Sequence, residues 1–241
     1  MIEKALKYLV GLKDNKTYNI DGITYSDNEL HQIVPATFYP TSLEVGSLDA
    51  IAKLIRAELP DYLESGEIPL FVRIDSPTTV SVFTRPDFKA KRKFIYIASC
   101  KDVNFKEGFR NQQEAIIELK SRFIPTEDSK YLLNLISRIN NDEGVKSEDN
   151  GVSQTITAKK GVSLMTTEQV KPRLSLQPFR TFREIPQPES EFILRLDDNG
   201  RIGLFEADGG IWKIEAKCQI QGFLEGELEK EIEAGQVVVM I

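Results

Sequence analysis

His31 is the sole histidine in 241 residues, so the chain lacks the paired imidazoles of HExxH zinc sites and of most hydrolase arrangements. Cys100 and Cys218 stand far apart and match no CxxC or metal-ligand spacing. They are expected as reduced thiols, in the core or half-buried, rather than as a disulfide. A thiol–imidazole dyad would need one of them beside His31, and nothing local around either cysteine points to an activated thiolate. Neither GxGxxG nor GxxxxGK[ST] occurs, which removes the familiar phosphate cradles. Asp197, Asp198, Glu206 and Asp208 form the grouping nearest to a metal site, since paired carboxylates can hold Mg²⁺ or Ca²⁺. Yet DDNG (197–200) lacks the alternating ligands and distant Glu of a calcium loop, and turn chemistry by itself calls for Asp and Asn there.

Two groups of cations interleave with aromatic residues. Arg85, Lys89, Lys91, Arg92 and Lys93 surround Phe88 and Phe94 in a loop between two expected strands, a composition that suits phosphates and stacked bases. Its bland alternative is a solvated hairpin tip whose lysines protect a sheet edge. Arg173, Arg180 and Arg183 lie around Phe179 and Phe182 in LSLQPFRTFREIPQPE; here guanidinium groups can grip phosphate or carboxylate in bidentate fashion, or bridge acidic partners in an oligomer. Gly209 and Gly210, just before Ile211 and Trp212, suit either a close anion approach or a plain turn into a helix. The turn is preferred, with Trp212 as a core or interface anchor.

The elements that must position these side chains follow from periodicity. Ile2, Ala5, Leu6, Leu9 and Val10 share one face of an opening helix that ends near Gly11. TYNI-DG-ITY (17–25) reads as a tight hairpin. Ser47 caps a helix with Leu48, Ile51, Leu54, Ile55 and Leu59 on one face, and Pro60 is expected to stop it. The runs 69–74, 78–84 and 93–99 predict an antiparallel meander with one face covered by helices. Pro125 separates helices over 112–123 and 127–139, the second capped by Thr126. Strands follow at 144–147, 152–160, 173–176, 191–196 and 202–205, then a helix within 211–232 and a short terminal strand in GQVVVMI. The fold class is therefore α+β, with antiparallel β regions, a central helical pair and a C-terminal helix. Residues 1–140 form an expected N-terminal α+β region and 141–241 a β-rich region with a terminal helix, one continuous domain being the alternative.

Composition limits the function classes. A hydrophobic share of 41% is ordinary for a packed core, and 37 carboxylates against 31 Lys and Arg give a net charge of −6. General binding to a phosphate backbone favours a basic domain, so any nucleic-acid contact must be a local patch. The N-terminus lacks the apolar stretch of a signal peptide and nothing approaches a membrane span, so a cytoplasmic chain is expected.

PESEFILRLDDNGRIGLFEADGGIWKIEAK (188–217) and EDNGVSQTITAKKGV (148–162) resemble the YfdQ-like family of phage and prophage proteins. That resemblance implies a cytoplasmic role in an infected host, near recombination and replication functions, and brings no catalytic residues. The leading expectation is a non-enzymatic protein without cofactor that binds a macromolecule or self-assembles, with single-stranded DNA as a candidate ligand and homo-oligomers or a phage protein as candidate partners. The alternatives are a counter-defence protein that sequesters a host signalling nucleotide or blocks a host immune protein, and a metal-dependent phosphoryl-transfer enzyme built on the carboxylates.

Overall fold

The computed structural model describes residues 2–11, 17–20, 23–26, 42–87, 90–101, 105–138, 146–149, 154–160, 164–197 and 200–241. The chain divides at Pro40 into two units. In the first, α1 (Ile2–Gly11) and the antiparallel pair β1 (Thr17–Ile20) and β2 (Ile23–Ser26) occupy the expected positions, with Ile20 opposite Ile23 across the turn. The exposed Ile2 and Leu6 belong to the predicted apolar face of α1. His31 lies outside the described residues.

The second unit opens with β3 (Leu43–Val45) and α2 (Leu48–Glu64). The Ser47 side chain accepts from the Ala50 amide at 3.2 Å, which starts the helix, and Asp49 suits the positive end of its dipole. Leu48, Ile51, Ala52 and Ile55 are fully buried at spacings of three and four. Pro60 does not stop α2: it sits exposed on the outer face, and the helix runs one further turn. Gly66, at φ +70, ends it, with Gly66 donating to the Leu63 carbonyl and Glu67 to that of Tyr62 in a Schellman arrangement.

β4 (Leu70–Ser76), β5 (Thr79–Phe83) and β6 (Phe94–Ser99) form the predicted meander. Then come β7 (Gly108–Arg110), α3 (Gln112–Arg122), β8 (Phe123–Ile124) and α4 (Glu127–Arg138). Asn111 and Glu114 close a capping box on α3, and Thr126 caps α4 by accepting from the Ser129 amide at 3.1 Å. β9 (Lys146–Asp149), β10 (Gln154–Lys160) and β11 (Leu164–Val170) make a three-stranded antiparallel sheet, of which β11 has no counterpart in the sequence reading. β12 (Arg173–Pro178), β13 (Ser190–Leu196) and β14 (Ile202–Glu206) lead to α5 (Ile211–Glu227), α6 (Glu229–Glu233) and β15 (Val237–Met240). The single helix expected within 211–232 is thus two, broken at Leu228.

Two five-stranded sheets organise the unit, in the orders β15-β4-β5-β6-β3 and β7-β14-β13-β12-β8. The first is mixed rather than purely antiparallel, because β3 joins β6 and β15 joins β4 in parallel. Both sheets combine strands from either side of residue 140, so they do not follow the expected 1–140 and 141–241 division. α2 and α5 bury one face of the first sheet over Leu70, Val72, Ile74, Val80, Val82 and Ala98. A fully buried Leu or Ile side chain contributes about 1.5–3 kcal/mol, so the register of β4 and β5 is strongly specified. α3 and α4 cover the second sheet through Leu119, Leu132 and Ile136 against Leu174, Leu176 and Leu194. No helix among the described residues is long and apolar enough to cross a membrane.

Candidate nucleic-acid interface

Alternation along LFVRIDS in β4 sends Leu70, Val72 and Ile74 to the core and leaves Phe71, Arg73 and Asp75 on the other face. Across the ladder, Phe71 pairs with Phe83 and Phe83 with Phe94. Their rings form a row, with both centroid separations at 5.6 Å. Two guanidinium groups lie against it. Arg92 stands 4.8 Å from the Phe71 centroid and 5.3 Å from that of Phe83, while Arg73 stands 5.5 Å from Phe83 and 5.9 Å from Phe94. Such contacts are attractive by about 0.5–2 kcal/mol each and hold the planar cations over the sheet. Phe94 is 50% exposed and ends the row, so its ring retains an open surface.

The β5–β6 loop supplies the remaining cations. Thr84 and Lys93 clasp its base through the Thr84 amide and Lys93 carbonyl at 3.0 Å and through the Lys93 amide and Thr84 hydroxyl at 3.2 Å. Further out, the Asp87 carboxylate accepts from the Lys91 amide at 2.9 Å, and Ala90 adopts φ 58, a left-handed conformation costly for a residue with Cβ. Lys93 pairs with Glu67 and Arg73 with Asp75, leaving Arg85 and Lys91 with exposed side chains that bind no described group. Lys89 and Phe88 lie outside the described residues. Ser81, opposite Arg73 on this face, is 4% exposed, and its hydroxyl has no partner among the described residues. The face therefore combines a stackable ring and planar cations, with two exposed cations in the adjoining loop, while the Ser81 hydroxyl stays buried beneath it.

The second predicted basic group does not form a patch. Arg180 is 2% exposed and enters a network instead of facing a ligand. It donates to Glu206 at 2.8 Å, the Pro188 carbonyl at 3.2 Å and the Ser190 hydroxyl, and stacks 4.0 Å from the Trp212 centroid. Burial lowers its pKa from the ordinary guanidinium value, against the pull of Glu206 and Asp208. Arg173 is exposed and paired with Glu191 at 2.8 Å; Arg183 stacks 4.0 Å from the Phe179 ring. Arg183 also borders a cleft of about 470 Å³ lined by Lys101, Glu44, Glu184 and Cys100. Cys100 is half-buried there, with its thiol directed to the Thr181 carbonyl, whereas Cys218 is exposed on α5 rather than packed.

The carboxylates that stand nearest to a metal-site grouping in the sequence have separate tasks. Asp197 binds Arg201 at 2.7 Å, Glu206 accepts from Arg180 and from the Trp212 indole at 3.1 Å, and Asp198 lies outside the described residues. Asp208 accepts from Ser190 at 2.6 Å and from the Gly210 and Trp212 amides at 3.0 and 3.3 Å, with Gly210 at φ +82 making the turn into α5. Burial pushes the Asp208 carboxyl up, but these donors and the Arg180 guanidinium outweigh it and hold it below the usual carboxylate range. No group able to hold a metal ion occurs among the described residues.

Sequence reasoning missed Arg73 and Phe71. Period-two alternation in LFVRIDS would have placed both on the face that carries Phe83. No family model, curated protein or solved structure matches the chain.

Proposed function

We propose that this is a non-enzymatic protein of the phage or prophage type, acting in the host cytoplasm, that binds single-stranded nucleic acid across the Phe71–Phe83–Phe94 face and supports DNA recombination or replication. The observation that carries the reading is the exposed Phe94 ring at the end of a row covered by Arg73 and Arg92. A base stacks on any open aromatic ring regardless of its identity, and cations beside it track the phosphates. Arg85 and Lys91 extend the track along the loop. A duplex gains less here, because its bases are already stacked.

The alternatives find less support. A pocket for a signalling nucleotide needs excess positive charge, but Glu44 and Glu184 accompany Lys101 and Arg183 in the 470 Å³ cleft. Metal-dependent phosphoryl transfer would need Asp197, Glu206 and Asp208 to abandon their present partners.

The test is fluorescence anisotropy of a labelled oligothymidylate at low salt. Wild-type protein should bind, Phe94→Ala should weaken binding by the roughly 1–3 kcal/mol of one stacked base, and Arg92→Gln should weaken it further. Absence of binding at low salt, or binding unaffected by both substitutions, refutes the proposal.

A further inference from the structure

β15 is an edge strand of the first sheet, hydrogen-bonded to β4 alone. The Leu70 amide donates to the Gln236 carbonyl at 2.9 Å, which sets the parallel ladder so that Gln236, Val238 and Met240 turn their peptide groups toward β4. Val237 and Val239 therefore turn theirs outward and neither bonds to a described residue, but Val237 is 1% exposed, so it is the half-buried Val239 whose outward peptide groups an added strand can reach. Edge strands are commonly protected by Lys, Pro or a bulge. VVVM contains no such device, and Val238 is 38% exposed.

Beside this edge runs an open groove of about 610 Å³, with Ile232 as its apolar floor and Glu225, Glu229 and Glu233 spaced four residues apart along α5 and α6. Glu229 and Glu233 pair with no described cation. A two-fold pairing of β15 with β15 of a second copy would keep both helical layers on one side of the joined sheet and set two acidic rows against each other. Charge thus decides against a second copy and in favour of a partner of opposite sign.

We propose that the β15 edge takes up an extended basic segment of another polypeptide as an added strand. Its backbone bonds to the outward N–H and C=O of Val239. Alternate side chains of such a strand face opposite ways: Lys or Arg on one side meets Glu229 and Glu233, and apolar residues on the other continue the surface of Val238. Val238 lies beside Phe71 on the same face of the sheet, so this surface adjoins the aromatic row proposed for nucleic acid; its test reads peptide binding and the Val239 amide and does not depend on that proposal.

The experiment uses a fluorescent peptide of about seven residues, a usual strand length, alternating lysine and valine. Lysine–glycine and glutamate–valine peptides serve as controls. The lysine–valine peptide should bind in a salt-sensitive manner, and Glu229→Gln with Glu233→Gln, two surface changes that leave the core untouched, should weaken binding at least tenfold. Hydrogen exchange on the wild-type protein should show the Val239 amide protected only when the peptide is present. Val239→Pro, which removes an outward donor but no ladder bond, should abolish that binding. Equal affinity for the lysine–glycine peptide, binding without protection of the Val239 amide, no binding at low salt, or a peptide-free dimer with this amide already protected each overturns the proposal.

Discussion

Arg180 and Arg173 show how the same residue type takes opposite energetic roles. Arg180 lies in a largely buried network with Glu206, the Pro188 carbonyl, Ser190 and the Trp212 ring. Truncation to Ala leaves Glu206 without its main partner, a loss of about 3 kcal/mol for a largely buried pair. The exposed Arg173–Glu191 pair is screened by water, and Arg173→Ala should cost less than about 1 kcal/mol. Denaturant melts of the two variants check this contrast, and equal losses would refute the assignment of Arg180 to structure. Neither change should alter oligothymidylate affinity. Asp208 adds a pH signature. Its folded pKa is depressed, so the stability it provides is present above the unfolded value near 3.9 and is lost as pH falls through the lower folded value. Asp208→Asn should therefore lower the melting temperature at pH 7, with the gap to wild type closing below about pH 4. A gap that stays constant down to pH 2 would contradict the donors assigned to this carboxylate.

At the scale of elements, α2 carries a proline that its packing overrides. Pro60 cannot donate to the Arg56 carbonyl, yet the helix continues because Leu59 is buried before it, Tyr62 packs on the core after it, and the Gly66 turn closes the end. Pro60→Ala restores the donor and relieves the ring, partly offset by greater freedom of the unfolded chain; a net gain of about 1–2 kcal/mol is expected. A drop in the denaturation midpoint would show that the proline is instead the better residue there. The same contest between local preference and tertiary packing explains which elements could be read directly. The meander, the Pro125 break, the Thr126 cap and the Ile220, Leu224 and Leu228 stripe were legible because each is a local pattern. β3, β7 and β8 are two or three residues long, too short for periodicity, and exist only through their partners. The parallel edges β3 and β15 depend on pairings far away in sequence. Half of the candidate interface was legible likewise: the loop cations stand together in the chain, whereas the burial of Arg180 depends on Glu206, which belongs to β14.

For the whole molecule, the decisive quantity is a local cation patch on a chain of net charge −6. Long-range attraction of a polyanion is weak or adverse, so affinity must come from short-range contacts that release counterions. Of the cations near the aromatic row, Lys93 is neutralised by Glu67 and Arg73 partly so by Asp75, so on the proposed reading Arg85, Lys91 and Arg92 would be the main phosphate ligands. Single strands release about 0.7 counterion per phosphate contact. The logarithm of the binding constant should then fall against the logarithm of salt concentration with a slope of about −2, steepening towards about −3 if Arg73 leaves Asp75 to take a phosphate. Asp75→Asn frees Arg73 outright and should both tighten binding and steepen the slope, while Arg85→Gln should flatten it by roughly 0.7. Phe94→Ala removes stacking without charge, so it should lower affinity at every salt concentration while leaving the slope unchanged. Anisotropy titrations over a salt series separate these outcomes. A slope near zero, or one that Phe94→Ala changes as much as Arg85→Gln does, would mean that the ligand is not held by stacking and phosphate contacts on this face.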